Sequence, residues 1–175
     1  MIELLRKRRS IRKFCAEPVS SEHLDTILEA ALRAPSSRGI NPWEFIVIDD
    51  PNLLKQLSTA KQHGAEFLKN APLGIVVCAE TTKSDVCIED CSIAAIIIQL
   101  TALSLGLGSC WAQMRCRFRG EKESAESYIR ELLGLPEHFL VEAVIGIGHP
   151  DEQKPPVKAE TLQRKKISYN RWGAR

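Results

Sequence analysis

Residues 85 to 107 constrain this chain more than any other stretch, because from Cys91 to Leu107 they are apolar on nearly every face of a helix. The run approaches membrane length. Glu89 and Asp90 precede it, however, and Ser92, Gln99, Thr101 and Ser104 interrupt it, within a chain otherwise patterned as a soluble domain. A helix that is apolar all round belongs at the centre of a core or between two subunits. It leads into Leu105-Gly106-Leu107-Gly108, where the glycines permit close chain approach. A lone Gly-x-Gly is too short for a dinucleotide fingerprint, so no separate Rossmann domain is read.

The other elements fall around that helix. Leu73 to Ala79 is a continuous apolar run of strand length, which predicts a strand buried on both faces. Trp43–Ile48, Ser109–Met114 and Phe139–Ile147 read as further strands. Helices are expected over residues 2–9 with Leu4 and Leu5 inward, from Ser20 or Ser21 as cap to Pro35, over 51–61, and over 121–134 with Gly134 as its stop. A chain of 175 residues with 44% hydrophobic content builds a core without disulfides or metal. The formal net charge of +2 selects no class of partner.

Arg6 to Arg9 is followed by no apolar segment, so no export signal is read and the cytoplasm is the expected compartment. The six cysteines then read as reduced thiols. None forms a Cys-x-x-Cys pair, which argues against a metal site, and Cys87 and Cys91 read as buried packing on one helix face. His23, in a first helical turn, reads as a capping or surface residue.

Three polar segments remain as candidate binding elements. In Ala34 to Asp50, Pro35 ends a helix, Ser36, Ser37, Arg38 and Gly39 form a polar turn, and a strand follows. Arg8-Arg9-Ser10-Ile11-Arg12 offers planar guanidinium forks and a hydroxyl, donors suited to phosphate oxygens. Glu3 and Glu17 flank this segment without interleaved aromatics, a poor pattern for nucleic acid. Arg115, Arg117 and Arg119 alternate with Cys116 and Phe118; in an extended segment that alternation places three cations on one face, either a solvated edge or a selector of anionic substrates. Residues 154–175 carry seven Lys/Arg against one acid, with Ile167, Tyr169 and Trp172 as apolar anchors for a docked strand.

Together these motifs resemble the FMN-dependent nitroreductase family. The resemblance rests on Arg8-x-Ser10-x-Arg12, on Pro35-Ser36-Ser37 followed by Asn41-Pro42-Trp43, on Leu105 to Trp111, on Ile145 to Pro150, and on the tail ending Tyr169-Asn170-Arg171-Trp172. They occur in that order over nearly the whole chain. The resemblance implies an α+β fold with a mainly antiparallel central sheet flanked by helices, residues 1–150 forming the FMN-binding domain and 151–175 an extension wrapping a partner in an intertwined homodimer. It implies that Arg8, Ser10 and Arg12 hold the phosphate and ribityl chain, with backbone contacts from Arg9. Pro35, Ser36, Ser37 and Asn41 would approach the ring, with Gly39 standing where relatives often carry Asn. Gln113 and Met114 would place a backbone N–H beside it. A basic residue after the Pro-Pro would meet the phosphate, Lys158 fitting best and Lys165 and Lys166 being rivals.

The activity implied is transfer of hydride from NAD(P)H to an electron-poor acceptor, a nitroaromatic or quinone, in ping-pong fashion, with no catalytic side chain, no metal, no nucleic acid and no membrane. A flavin-dependent reductive dehalogenase or flavin-destructase, a non-enzymatic FMN carrier and a basic nucleic-acid binder are the competing readings.

Overall fold

The computed structural model describes residues 1–174 and sets nine helices and strands in order: α1 (Ile2–Lys7), α2 (Ser21–Leu32), β1 (Trp43–Ile48), α3 (Pro51–Leu57), β2 (Leu73–Glu80), α4 (Cys87–Ser104), β3 (Gly108–Gln113), α5 (Ala125–Leu133) and β4 (Phe139–Gly148). The strands form one antiparallel sheet in the order β1-β2-β4-β3. This is the α+β architecture expected. β2 is buried on both faces because it lies inside the sheet between two helical layers.

Strand alternation divides the core in two. Val76 and Cys78 of β2 and Cys110, Ala112 and Met114 face α3 and α5, packing with Leu54, Leu57 and Ile129. Leu73, Ile75, Val77 and Ala79, with Ile145 and Ile147 of β4, face α2 and α4, packing with Ile27, Cys91, Ala95 and Ile98. The apolar α4 therefore covers the sheet centre, as its composition requires.

The pairing of β2 with β4 is irregular at one point. Val77 pairs with Ala143 and Cys78 with Val141, so Glu142 is an extra residue in β4, a β-bulge. Leu140 and Ala143 both pack in the α4 layer while Val141 packs in the opposite one. The bulge thus turns Glu142 and Ala143 to the same side.

Several boundaries differ from expectation. α3 stops at Leu57 rather than at 61, where the Ser58 and Thr59 hydroxyls donate to the Lys55 and Gln56 carbonyls and a turn begins. α5 starts at Ala125 because Ser124 caps it, its hydroxyl accepting from Ser127 N–H at 3.0 Å. α1 is shorter than residues 2–9 and buries nothing in the chain, Leu5 being 48% exposed. Residues 115–119 are not extended: Arg117 N–H returns to the Met114 carbonyl at 3.0 Å, and Cys116 has φ of 56°. Arg115, Arg117 and Arg119 therefore share no strand face, and Arg119 lies 4.0 Å from the Tyr128 ring centre. The described residues of the tail add no strand to its own sheet; they carry short 3-10 turns at Ala159–Thr161 and Arg164–Lys166.

Candidate functional site

β3 is an edge strand, and the Arg8–Arg12 segment lies along its open side. Ile11 N–H donates to the Ser109 carbonyl at 3.0 Å, and Ser10 bridges Ser109 in parallel sense. Residues of an antiparallel strand alternate between pairs bonded to the neighbour and pairs whose amides point away. Met114 N–H donates to the Glu142 carbonyl at 3.0 Å, so Met114 belongs to the bonded set. Ser109, Trp111 and Gln113 belong to the other, and the Ser109 bond to Ile11 confirms the phase. The Gln113 amide therefore faces the open edge. The Met114 amide does not, and its side chain is fully buried.

Cations gather beside this edge. Arg12, Lys154 and Lys61 all act on the Cys110 thiol, which also sits against the Ser10 hydroxyl. Lys154 Nζ donates to the Ser10 carbonyl at 2.6 Å and pairs with Glu152 at 3.0 Å. Glu152 accepts from the Arg12 and Lys13 amides, and the Arg12 N–H above all holds its carboxyl below the usual value. Arg9 Nη1 donates to the Pro155 carbonyl. Lys7, Arg8, Arg9 and Lys154 line a cleft of about 140 Å³ that runs to Gln99 and Leu103 of α4. Burial, and then the neighbouring Arg117, lower the Lys61 pKa.

The Pro35–Asn41 loop is built separately. The Ser36 hydroxyl accepts from Asn41 N–H at 2.8 Å and donates to Asn41 Oδ1 at 2.6 Å. Arg38 and Asn41 both have positive φ, 56° and 52°, uncommon outside glycine. Ser37 N–H donates to Asp90 Oδ1 at 2.9 Å, and Arg38 pairs with Asp85. With Asn41 Oδ1 held by the Ser36 hydroxyl, its NH₂ is the group left to meet a ligand.

Arg8, Arg9, Ser10, Arg12 and Gln113 thus lie along the β3 side of the molecule. Pro35, Ser36, Ser37 and Asn41 do not join them. They precede β1, on the opposite edge of the sheet, about 14 Å away for three strand spacings. Lys158 is exposed and its side chain bonds to nothing among the described residues, whereas Lys154 reaches the Ser10 loop. Lys154 precedes the Pro-Pro pair rather than following it, so the family resemblance does not point to it. Lys61 was masked by the expectation that α3 extends through it.

Comparisons with known proteins agree with this fold. The family model described as "Nitroreductase family" matches residues 5–62 and 55–149. The solved structure of an FMN-dependent nitroreductase from Clostridium difficile is similar with a TM-score of 0.97 and 51% identity, over 98% of this chain and 100% of that one. A protein of Archaeoglobus fulgidus named as an NADH dehydrogenase/NAD(P)H nitroreductase is 38% identical over 163 residues, 91% of this chain and 90% of its own. A protein of the same name from Methanothermobacter thermautotrophicus is 34% identical over 175 residues, 98% of this chain and 87% of its own. With the family model spanning most of the chain and these relatives matched nearly end to end, the chain belongs to the nitroreductase family.

Proposed function

We propose that this protein is an NAD(P)H-dependent oxidoreductase that binds FMN along the open edge of β3. The observation that carries the reading is the convergence of a cationic Arg8–Arg12 and Lys154 cluster with the outward Gln113 amide on one strand edge. FMN is dianionic at one end and carries hydrogen-bond acceptors on its ring, so these residues fit it: guanidinium and ammonium groups for the phosphate, a free N–H for the ring.

When bound, FMN supplies the redox chemistry, taking a hydride from the nicotinamide donor and passing reducing equivalents to the acceptor. The chain's own part is binding and electrostatics. Arg8, Arg9 and Lys154 would neutralise phosphate, and the Ser10 hydroxyl would orient the chain that follows it. Lys61 and Arg12 would favour negative charge on the bound group, at a place where water is partly excluded. Donor and acceptor would use the same face in turn, a ping-pong sequence, with a nitroaromatic or quinone as acceptor.

The Pro35–Asn41 loop supports a shared site. It is anchored at Asp90 near the N-terminal end of α4, whereas the Arg8–Arg9 cleft reaches Gln99 and Leu103, about 14 Å or more further along that helix. Because the loop also leads into β1, at the opposite edge of the sheet from β3, a second copy would supply it to the FMN at this edge. Ile93 and Ile96 of α4 and Leu32 of α2 leave apolar surface for such a homodimer. In the tail, Ile167 (55% exposed), Tyr169 (67%) and Trp172 (96%) would dock on the partner. An open groove lined by Leu28, Leu32, Trp43, Phe45 and Val47 beside edge strand β1 is a suitable receptor. The free state of all six cysteines supports a reducing compartment such as the cytoplasm.

Steady-state oxidation of NADH and NADPH by the FMN-loaded protein tests the reading. Parallel double-reciprocal lines with a nitroaromatic or quinone support it. No turnover with either donor would leave a flavin carrier, and halide release from a halogenated phenol would favour a dehalogenase.

A further inference from the structure

Behind the outward Gln113 amide, on the α4 side of the sheet, three side chains form a line. Trp111 Nε1 donates to Gln113 Oε1 at 2.9 Å, and Gln113 Nε2 donates to Glu142 Oε1 at 3.1 Å, with a longer contact from Nε2 to the Arg115 carbonyl at 3.4 Å. Trp111 fixes which way the Gln113 amide points, because an indole N–H can only donate. Its NH₂ must then face Glu142, which has to accept.

Glu142 is an unusual residue to find there. It is 3% exposed, and Oε2 meets no hydrogen-bond partner among the described residues. Leaving a carboxylate oxygen bare in a core is costly, whereas a protonated carboxyl accepts through one oxygen and buries no net charge. The bulge that puts Glu142 on this face is the kind of irregularity that re-aims a side chain beside a site. The surrounding ionisable groups do little to hold a charge: Arg115 favours it, Glu126 on α5 and Glu89 on α4 oppose it, and the adjacent Cys91 thiol, kept neutral by its own burial, adds none. Burial, the largest influence, pushes the Glu142 pKa up, partly offset by the Gln113 bond.

We propose that Glu142 is a proton-dependent positioning residue: aimed by the β4 bulge, it anchors the Gln113 side chain and so fixes the β3 edge against which the cofactor ring binds. This rests on the FMN reading of that edge. As a buried acid with a raised folded pKa, Glu142 contributes stability that is full below its unfolded pKa and is lost as pH rises through the folded one. On deprotonation the Gln113 bond gains charge assistance, but Oε2 still has no partner among the described residues, so the carboxylate is drawn toward water and shifts the Gln113 side chain with it. FMN affinity should therefore fall with rising pH together with thermal stability.

Melting curves without FMN and FMN titrations, both across pH, should be run on wild type, Glu142→Gln and Glu142→Leu. Gln keeps the acceptor and cannot ionise. Its melting temperature and FMN affinity should match wild type at low pH and exceed it at high pH, where Lys61 titrates in both proteins alike. Glu142→Leu should bind FMN about tenfold more weakly than wild type at low pH, for loss of one hydrogen bond, and the gap should narrow as pH rises. Superimposable pH profiles for wild type and Glu142→Gln would overturn the proposal, as would wild-type FMN affinity in Glu142→Leu at low pH. If Glu142→Leu does not fold, the Glu142→Gln profiles decide. A wild type that binds no FMN ends the cofactor reading, and the FMN-free melting profiles then judge Glu142 alone.

Discussion

Gly108 lies directly beneath Ile11: a Cβ on Gly108 would stand 2.8 Å from Ile11 Cγ2 and 2.9 Å from Ile11 Cβ. That contact sits between Ser10 and Arg12, and the Ile11 amide is bonded to the adjacent Ser109 carbonyl. The seat of the cationic segment on β3 therefore depends on glycine. Gly108→Ala should push Ile11 outward and cost about 1–3 kcal/mol by overpacking. FMN affinity should fall with the melting temperature, because Ser10 and Arg12 move with Ile11. An unchanged melting temperature and unchanged FMN affinity would show that the segment is seated some other way.

Charge-assisted hydrogen bonds contribute roughly 1.5–3 kcal/mol each. Arg8→Ala should thus weaken FMN about 10- to 100-fold, at 1.4 kcal/mol per decade. Lys154→Ala removes both a cation and the tie to the Ser10 carbonyl and should match it. Lys158→Ala should cost less. Titration of the three variants with FMN ranks them, and a larger loss for Lys158 than for Lys154 would restore the assignment expected from sequence.

Glu152 gives the site an acid limit. Its folded pKa lies below the ordinary 4.5, chiefly through the Arg12 amide, so its stabilisation is present above the unfolded pKa and is lost as pH falls through the folded one. Protonation there releases the Arg12 and Lys13 amides and Lys154 together. FMN affinity should drop on acidification, and Glu152→Gln should show at neutral pH the weaker binding that wild type shows in acid. Fluorescence titration over a pH series reads both.

Much of this was legible in the residues. The continuous apolar run at Leu73–Ala79 and the all-round apolar α4 could be placed because burial on both faces leaves no polar alternation. Ser20, Ser124 and Gly134 marked helix ends through local chemistry. The Arg-x-Ser-x-Arg motif stood out by composition, but its strand partner Ser109 is nearly a hundred residues away, and no local pattern shows that pairing. The arginines at 115–119 misled because alternation says nothing of the φ at Cys116. Glu142 was hidden inside an apolar strand, since a bulge is a mismatch between two strands and neither sequence carries it alone. Likewise the ends of α4 became informative only once each was tied to a different loop.

Truncation after Pro156 separates the tail from the phosphate cluster, because it keeps Glu152 and Lys154 and removes Ile167, Tyr169 and Trp172. If the tail docks on a partner, the truncated protein should lose dimer stability, and added FMN should raise its melting temperature much less than that of the full chain. Sedimentation and melting curves with and without FMN check this. A truncated protein that stays dimeric with a full FMN shift would show that the tail has no part in assembly.

The most direct measurement is an FMN titration of the purified protein, followed by absorption and with its mass in solution determined on the same sample. A yellow dimer that saturates at one FMN per chain is the expected result, with Arg8, Ser10, Lys154 and the Gln113 amide of one copy meeting the Pro35–Asn41 loop of the other. A protein that remains colourless and takes up no FMN, or one that binds it fully as a monomer, would contradict the shared site at the β3 edge.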